Sequence, residues 1–280
     1  MHVRRYNSRS LIINNNKSMY LHPSWSALTI GDGDLSFSLA LTQKYPDLRV
    51  CASVLDTEQE VREKYQLNAI DALRNTGHKV CFALDITAPH SFPSGLAADF
   101  DVTIFQFPLV PNNGPRKPGQ SWHQGADSNL LNRRLLSDFI KHSASYFLSP
   151  RGARLCYITS KDVKPYCDWH IECLGAQSTL QYLGDMPFTP VDFHGYRVRN
   201  VDRDKQVKST AARTYVWSDK ALSEPIPQLS PPITTAQYCS LCKVGPVADE
   251  QDWFNHLNSK QHKRRAEYQQ NWENYLVESD

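Results

Sequence analysis

No acidic residue precedes Asp32, although Arg4, Arg5, Arg9 and Lys17 do. The chain has no apolar run long enough to span a bilayer. Its start lacks the apolar stretch of a secretory signal, which leaves a flexible polar leader over residues 1–24, with a mitochondrial transit peptide as the other reading of an acid-free, arginine-bearing start. Charge of one sign is also scarce: the net charge is +2 over 280 residues, too little to imply a polyanionic partner by itself. No internal repeat is visible. Cys51, Cys81, Cys156, Cys167 and Cys173 are scattered and partly embedded in apolar runs, which suits reduced, buried thiols in an intracellular protein rather than a disulfide frame.

Against these absences stands a regular alternation. Residues 28–30 form a short apolar run ending at Gly31. A helix is predicted over 36–45, stopped by Pro46, and a second strand over 50–55, ending at Asp56. Helical spacing over 58–75 ends at Gly77, and a third strand over 79–84 ends at Asp85. The almost wholly apolar run 102–107 reads as a central strand buried on both faces. A Pro/Gly/Asn-rich loop over 108–127, a helix over 130–148, a strand over 154–159 and a short helix over 165–176 follow, with late strands at 179–182 and 214–217. The fold class is α/β: a Rossmann-like parallel sheet with helices on both faces, over residues 25–220. Pro225, Pro227, Pro231 and Pro232 mark a stiff linker over 221–235, and a small ββα module occupies 236–270.

Three strand ends carry the first candidate site. Gly31, Asp32, Gly33 and Asp34 follow the first strand, Asp56 the second and Asp85 the third. In an open parallel sheet, ligands bind in the crevice at those ends. Glycine allows close backbone approach, and an acid after the second strand can accept from both hydroxyls of a ribose. The string GDGDLSF is not GxGxxG, because Ser36 stands where the third glycine would be. Two acids repel a pyrophosphate and suit a sulfonium and an ammonium group, which favours S-adenosylmethionine over a dinucleotide.

The second site is Cys239-x2-Cys242-x13-His256-x5-His262, the Cys2His2 spacing of a structural zinc ion. A hairpin would supply both thiolates, and one helix over about 251–268 both imidazoles, with Trp253, Phe254 and Leu257 as a small core. So small a module needs metal binding for its stability and, beyond the proline-rich linker, would fold apart from the first domain. Lys263, Arg264 and Arg265 close a basic cluster and are candidate RNA contacts.

Read motif by motif, TIGDGDLSFSLAL resembles the opening of the uridine-N3 ribosomal-RNA methyltransferase-like family, usually VGEGDFSFS. The likeness continues in order through SVLDTEQEVREKY, VCFALDIT, FDVTIFQFPLV, the stretch NRRLL to DWHI, and FHGYRVRN, over about residues 28–217. The resemblance implies a class I methyltransferase fold, S-adenosylmethionine as cofactor and structured RNA as substrate, in a nucleolar or nuclear protein; cytoplasm and mitochondrion are the other compartments. Where the family has Asn-Phe-Pro-His after the fourth strand, this chain has Gln106, Phe107, Pro108 and Leu109. Gln106 is therefore assigned to the base edge and Phe107 to stacking, with Pro108 and Lys161 as the other candidate catalytic-site residues. Lys161, Tyr166 and Trp169 match further family positions, and Lys161 faces the substrate in this reading. His123 is an untethered loop candidate. The histidine gap and trailing HKRR resemble the matrin type of finger, associated with RNA. A non-catalytic RNA-binding protein that keeps the fold, and a methyltransferase acting on tRNA, are the alternatives.

Overall fold

The computed structural model describes residues 19–110, 127–200, 203–206, 211–221, 226–227 and 229–279. Most of the leader, the loop over 111–126 with His123, and the linker residues 222–225 and 228 lie outside the described residues. The first domain runs β1 (Ser26–Ile30), α1 (Ser36–Lys44), β2 (Arg49–Ser53), α2 (Glu58–Lys64), α3 (Ile70–Asn75), β3 (Lys79–Cys81), β4 (Val102–Gln106), α4 (Ser128–His142) and β5 (Leu155–Lys161). It continues through β6 (Gln181–Phe188), a small ribbon of β7 (Arg199–Asn200) and β8 (Arg203–Gln206), and β9 (Ala212–Ser218). Two helices end the chain, α5 (Glu250–Asn258) and α6 (Lys260–Ser279).

Seven strands form one sheet in the order β3-β2-β1-β4-β5-β9-β6. The first five are parallel, and β9 inserts antiparallel between β5 and β6. Side chains alternate between faces, as the pleat requires. Cys156 and Ile158 of β5 pack with Leu136, Phe139 and Ile140 of α4 on one face. Leu155 and Tyr157 pack with Phe37, Ala40 and Leu41 of α1 on the other. Helices therefore cover both faces, as the strand–helix alternation predicts.

Two predicted helices of the first domain are broken. Residues 58–75 split into α2 and α3. A Thr57/Glu60 capping box opens α2, and after Tyr65 the chain turns so that Ala69 N–H donates to the Asp34 carbonyl at 3.0 Å. A hydrogen bond to the loop after β1 outcompetes helix propagation through a stretch with no Pro or Gly to announce it. Residues 165–176 form two 3-10 turns, Tyr166–Asp168 and Ile171–Cys173, parted at His170 with φ of 48°.

The C-terminal module is not a separate body. Trp272 of α6 is 1% exposed and belongs to the core cluster of α4 and β5, with Tyr275 and Leu276 packed alongside. Arg133 of α4, itself 1% exposed, donates to the Tyr268 carbonyl at 2.8 Å and to Gln269 Oε1 at 2.7 Å. Its Nε serves the Trp169 carbonyl at 2.8 Å. The 221–235 stretch is likewise tied down: Ile226 is buried, and Ser230 exchanges backbone hydrogen bonds with Asp185. A proline-rich segment here lies against the domain instead of spacing it from the next.

Candidate active site and metal centre

Gly31 takes φ of 64°, open to glycine at little cost, and a Cβ there would meet the Phe105 ring at 2.7 Å. A Cβ on Gly33 would meet the Tyr65 hydroxyl at 2.8 Å. Both glycines thus have an internal packing reason, beside any approach to a ligand.

The acids between them are not exposed. Asp32 accepts from Ser38 N–H at 2.7 Å and from Ser38 Oγ at 2.5 Å, so it satisfies a first-turn N–H of α1. Burial, and then the charge of Asp34, push its carboxyl up to about 7. Asp34 accepts from Ser36 N–H and from Arg199 Nε at 2.7 Å, with Arg197 at 3.4 Å. The expectation of a bare pair of negative charges is corrected here. One acid is buried against the first turn of α1 and holds its proton to near neutrality, and the other is neutralised by arginines that local sequence cannot place.

Asp56 and Asp85 sit just beyond the C-terminal ends of β2 and β3, half-buried. Asp56 meets Lys64 Nζ at 3.2 Å. Asp85 Oδ1 accepts from Thr87 N–H and Thr87 Oγ1, a local turn that aims the carboxylate. The four acids and both glycines therefore occupy one edge of the sheet, where β1, β2 and β3 end side by side.

At the end of β4 the side chain of Gln106 is 9% exposed, and neither its Oε1 nor its Nε2 meets a hydrogen-bond partner among the described residues. A buried amide without partners costs about 1–3 kcal/mol. Phe107 follows with φ of 48° and packs edge-on to Phe188 at 5.7 Å. Pro108 is buried, and Leu109 packs against the core beside α4. Lys161 ends β5 next door; its Nζ lies 5.4 Å from the centre of the Tyr166 ring, and burial lowers its pKa. Trp169 is buried core, 4.9 Å from Tyr166.

The donor atoms of Cys239, Cys242, His256 and His262 lie within 4.8 Å of one another. His262 Nδ1 is 3.4 Å from Cys239 Sγ and 3.7 Å from Cys242 Sγ, near the roughly 3.5 Å edge of a zinc tetrahedron built with sulfur and nitrogen ligands. His256 Nε2 is buried with no hydrogen-bond partner among the described residues. The hairpin is reduced to a single bridge, Cys239 to Val244. The expected single helix is two: His256 ends α5 and His262 opens α6, where Ser259 Oγ accepts from His262 N–H. The remaining cysteines are free; Cys51 and Cys156 are buried as expected, whereas Cys173 is exposed.

The basic cluster is divided. Lys263 is exposed. Arg264 meets Asp168 Oδ2 at 3.1 Å. Arg265 is 6% exposed and donates to Asp168 Oδ1 at 2.7 Å and to the Leu241 carbonyl at 3.1 Å. Its assignment to RNA is corrected: a guanidinium enclosed by protein acceptors has no face left for phosphate. Asp168, Arg197 and Arg199 were missed by sequence reasoning. The two arginines lie in the FHGYRVRN string, which carried only the family likeness.

The sheet and the helices on its two faces define a Rossmann-like α/β domain. Among solved structures, similarity extends to the 30S ribosomal A1408 methyltransferase from an uncultured bacterium, at 12% identity over 69% of this chain and 87% of that one, TM-score 0.41. It extends also to a mutant of the 16S rRNA (adenine(1408)-N(1))-methyltransferase of Catenulisporales acidiphilia, at 12% identity over 74% and 96%, TM-score 0.41. No curated protein matches. The chain is an S-adenosylmethionine-dependent RNA methyltransferase. It belongs to the BMT5-like family, described as rRNA (uridine-N3-)-methyltransferase, whose model matches residues 28–200.

Proposed function

We propose that this chain methylates N3 of a uridine in ribosomal RNA, with a zinc ion held by Cys239, Cys242, His256 and His262. The observation that carries the substrate side is the buried, unpartnered amide of Gln106 at the end of β4, inside the family-matched region. An amide offers one acceptor and a donor pair, enough to orient a pyrimidine edge. N3 lies on the Watson–Crick edge, so the base must leave its helix to reach the site. Phe107 and Pro108 form the wall on which the base rests. Lys161 offers a cation beside the ring, which carries negative charge once N3 has lost its proton.

Gly31, Asp32, Gly33, Asp34, Asp56 and Asp85 form the cofactor side. S-adenosylmethionine supplies an electrophilic methyl group on sulfur; the chain aligns N3 with it and excludes water. Asp56 would accept from the ribose hydroxyls. Lys263, with Lys260, would meet phosphates. Matching donor spacing and the orphaned His256 nitrogen support the metal. A nuclear or nucleolar site of action fits an rRNA substrate, with cytoplasm and mitochondrion as the alternatives. No helix among the described residues is long and apolar enough to cross a membrane.

Purified chain with labelled S-adenosylmethionine and rRNA, followed by nucleoside analysis and reverse-transcription stops, tests the reading. A 3-methyluridine at one rRNA position is expected. Methylation of another base atom, or of tRNA alone, would replace it.

A further inference from the structure

The segment leaving β5 runs beside Lys161, and both chain-distant helices hold it. From α4, Asn129 Nδ2 donates to the Asp168 carbonyl at 2.9 Å and Arg133 Nε to that of Trp169 at 2.8 Å. From α6, Arg265 and Arg264 grip the two carboxylate oxygens of Asp168. Arg265 does more: its NH1 reaches the carbonyl of Leu241, a residue between Cys239 and Cys242. Beside the same thiols, Lys243 Nζ lies 2.6 Å from Glu172 Oε1 and donates to the Tyr215 hydroxyl at 3.0 Å. The metal-ligand turn is thus fastened twice to the segment that positions Tyr166 against Lys161.

We infer that metal occupancy of the Cys/His centre sets the position of residues 162–174, and through them Lys161, with Arg265 as the positioning residue that transmits it. This rests on the zinc reading above. The hairpin has one backbone bridge, and α5 buries none of its residues, so a metal at the four donors adds to the order that Arg265 and Lys243 already give the Cys239–Cys242 turn. Without metal the Leu241 carbonyl leaves Arg265. Its guanidinium then keeps Asp168 and the Cys167 thiol, both on the segment, and loses the one acceptor that ties them to the metal-ligand turn, so the segment is held less firmly. Coupling of this kind is reciprocal: whatever the metal contributes to the segment, the Arg265–Asp168 pair contributes to metal affinity. Lysine cannot replace the bridge, because a single ammonium does not span two acceptors the way a planar fork does.

The experiment uses the full chain. Hydrogen exchange of 162–174 is compared in wild-type protein loaded with zinc and stripped by chelator. Zinc affinity by chelator competition, S-adenosylmethionine affinity by calorimetry, and kcat and KM for RNA methylation are measured for wild type and Arg265→Lys. Exchange should rise on stripping. Arg265→Lys should bind zinc about tenfold more weakly and lose about tenfold in kcat, with cofactor affinity unchanged. Unchanged cofactor affinity also reports an intact fold in the variant. If wild type takes up no zinc, the metal reading and this inference fall together. If it binds one zinc yet 162–174 exchanges equally with and without it, the coupling is wrong and the metal reading stands.

Discussion

Arg199 Nε lies 2.7 Å from Asp34 Oδ2, joining positions 165 residues apart. Arg197 backs the same carboxylate and also donates to the Leu67 carbonyl at 2.9 Å. The connection ahead of the β7–β8 ribbon is in this way fastened to the loop after β1. Arg199→Ala should cost about 2–4 kcal/mol in urea unfolding, because it strips a buried carboxylate of its nearer partner. Adding Asp34→Asn should recover most of that loss. A double variant whose loss equals the sum of the losses of Arg199→Ala and Asp34→Asn measured singly would show that the pair is not coupled.

Asp32 predicts a pH dependence. In the unfolded chain its carboxyl titrates near 3.8, and in the fold near 7. Between these values the fold holds a proton that the unfolded chain has released, so protonation stabilises the fold. That contribution is complete below about pH 4 and is lost as pH rises towards 7, with a slope of at most about 1.4 kcal/mol per pH unit. Asp32→Asn should flatten the profile between pH 5 and 7 relative to wild type. Parallel profiles would refute the shifted carboxyl.

Gln106→Leu separates function from stability. An apolar side chain of similar volume removes two unpartnered polar atoms, so the apo protein should gain about 1–2 kcal/mol. Methyl transfer should fall at least about a hundredfold, the scale of losing one orienting polar contact in a reacting complex. A destabilised variant would mean that the amide already has partners in the native fold.

Trp272 tests the docking of α6. Trp272→Ala should lower the unfolding free energy of the whole chain by about 3–5 kcal/mol, in one transition shared by the α4 core. Two transitions, with only the smaller shifted, would restore an independent C-terminal module.

Much of the parallel half was legible, because β1, β2 and β4 are largely apolar runs that lead to Gly31, Asp56 and Gln106, β5 opens on the apolar run 155–158, and each lies within two residues of its predicted position. The strand-end acids and the four metal-ligand candidates were legible as positions. Their electrostatics were not. Nothing near GDGD announces Arg197 or Arg199, and nothing near KQHKRR announces Asp168. The docking of α6 depends on Arg133 meeting Gln269 across 136 positions, and a charged residue on a helix reads by default as solvated. Ser259 is the local signal that was available: serine is a favoured helix cap, and it marks the break between α5 and α6.

The insertion of β9 between β5 and β6 has a consequence for synthesis. As the chain emerges from the ribosome, β5 presents an open edge until residues 212–218 arrive, and β6 has no sheet partner at all before then. Strand pairs of such wide separation close late, and open edges invite pairing with other chains. The nascent chain therefore carries an open β5 edge and an unpaired β6 until more than fifty residues beyond β5 have been translated.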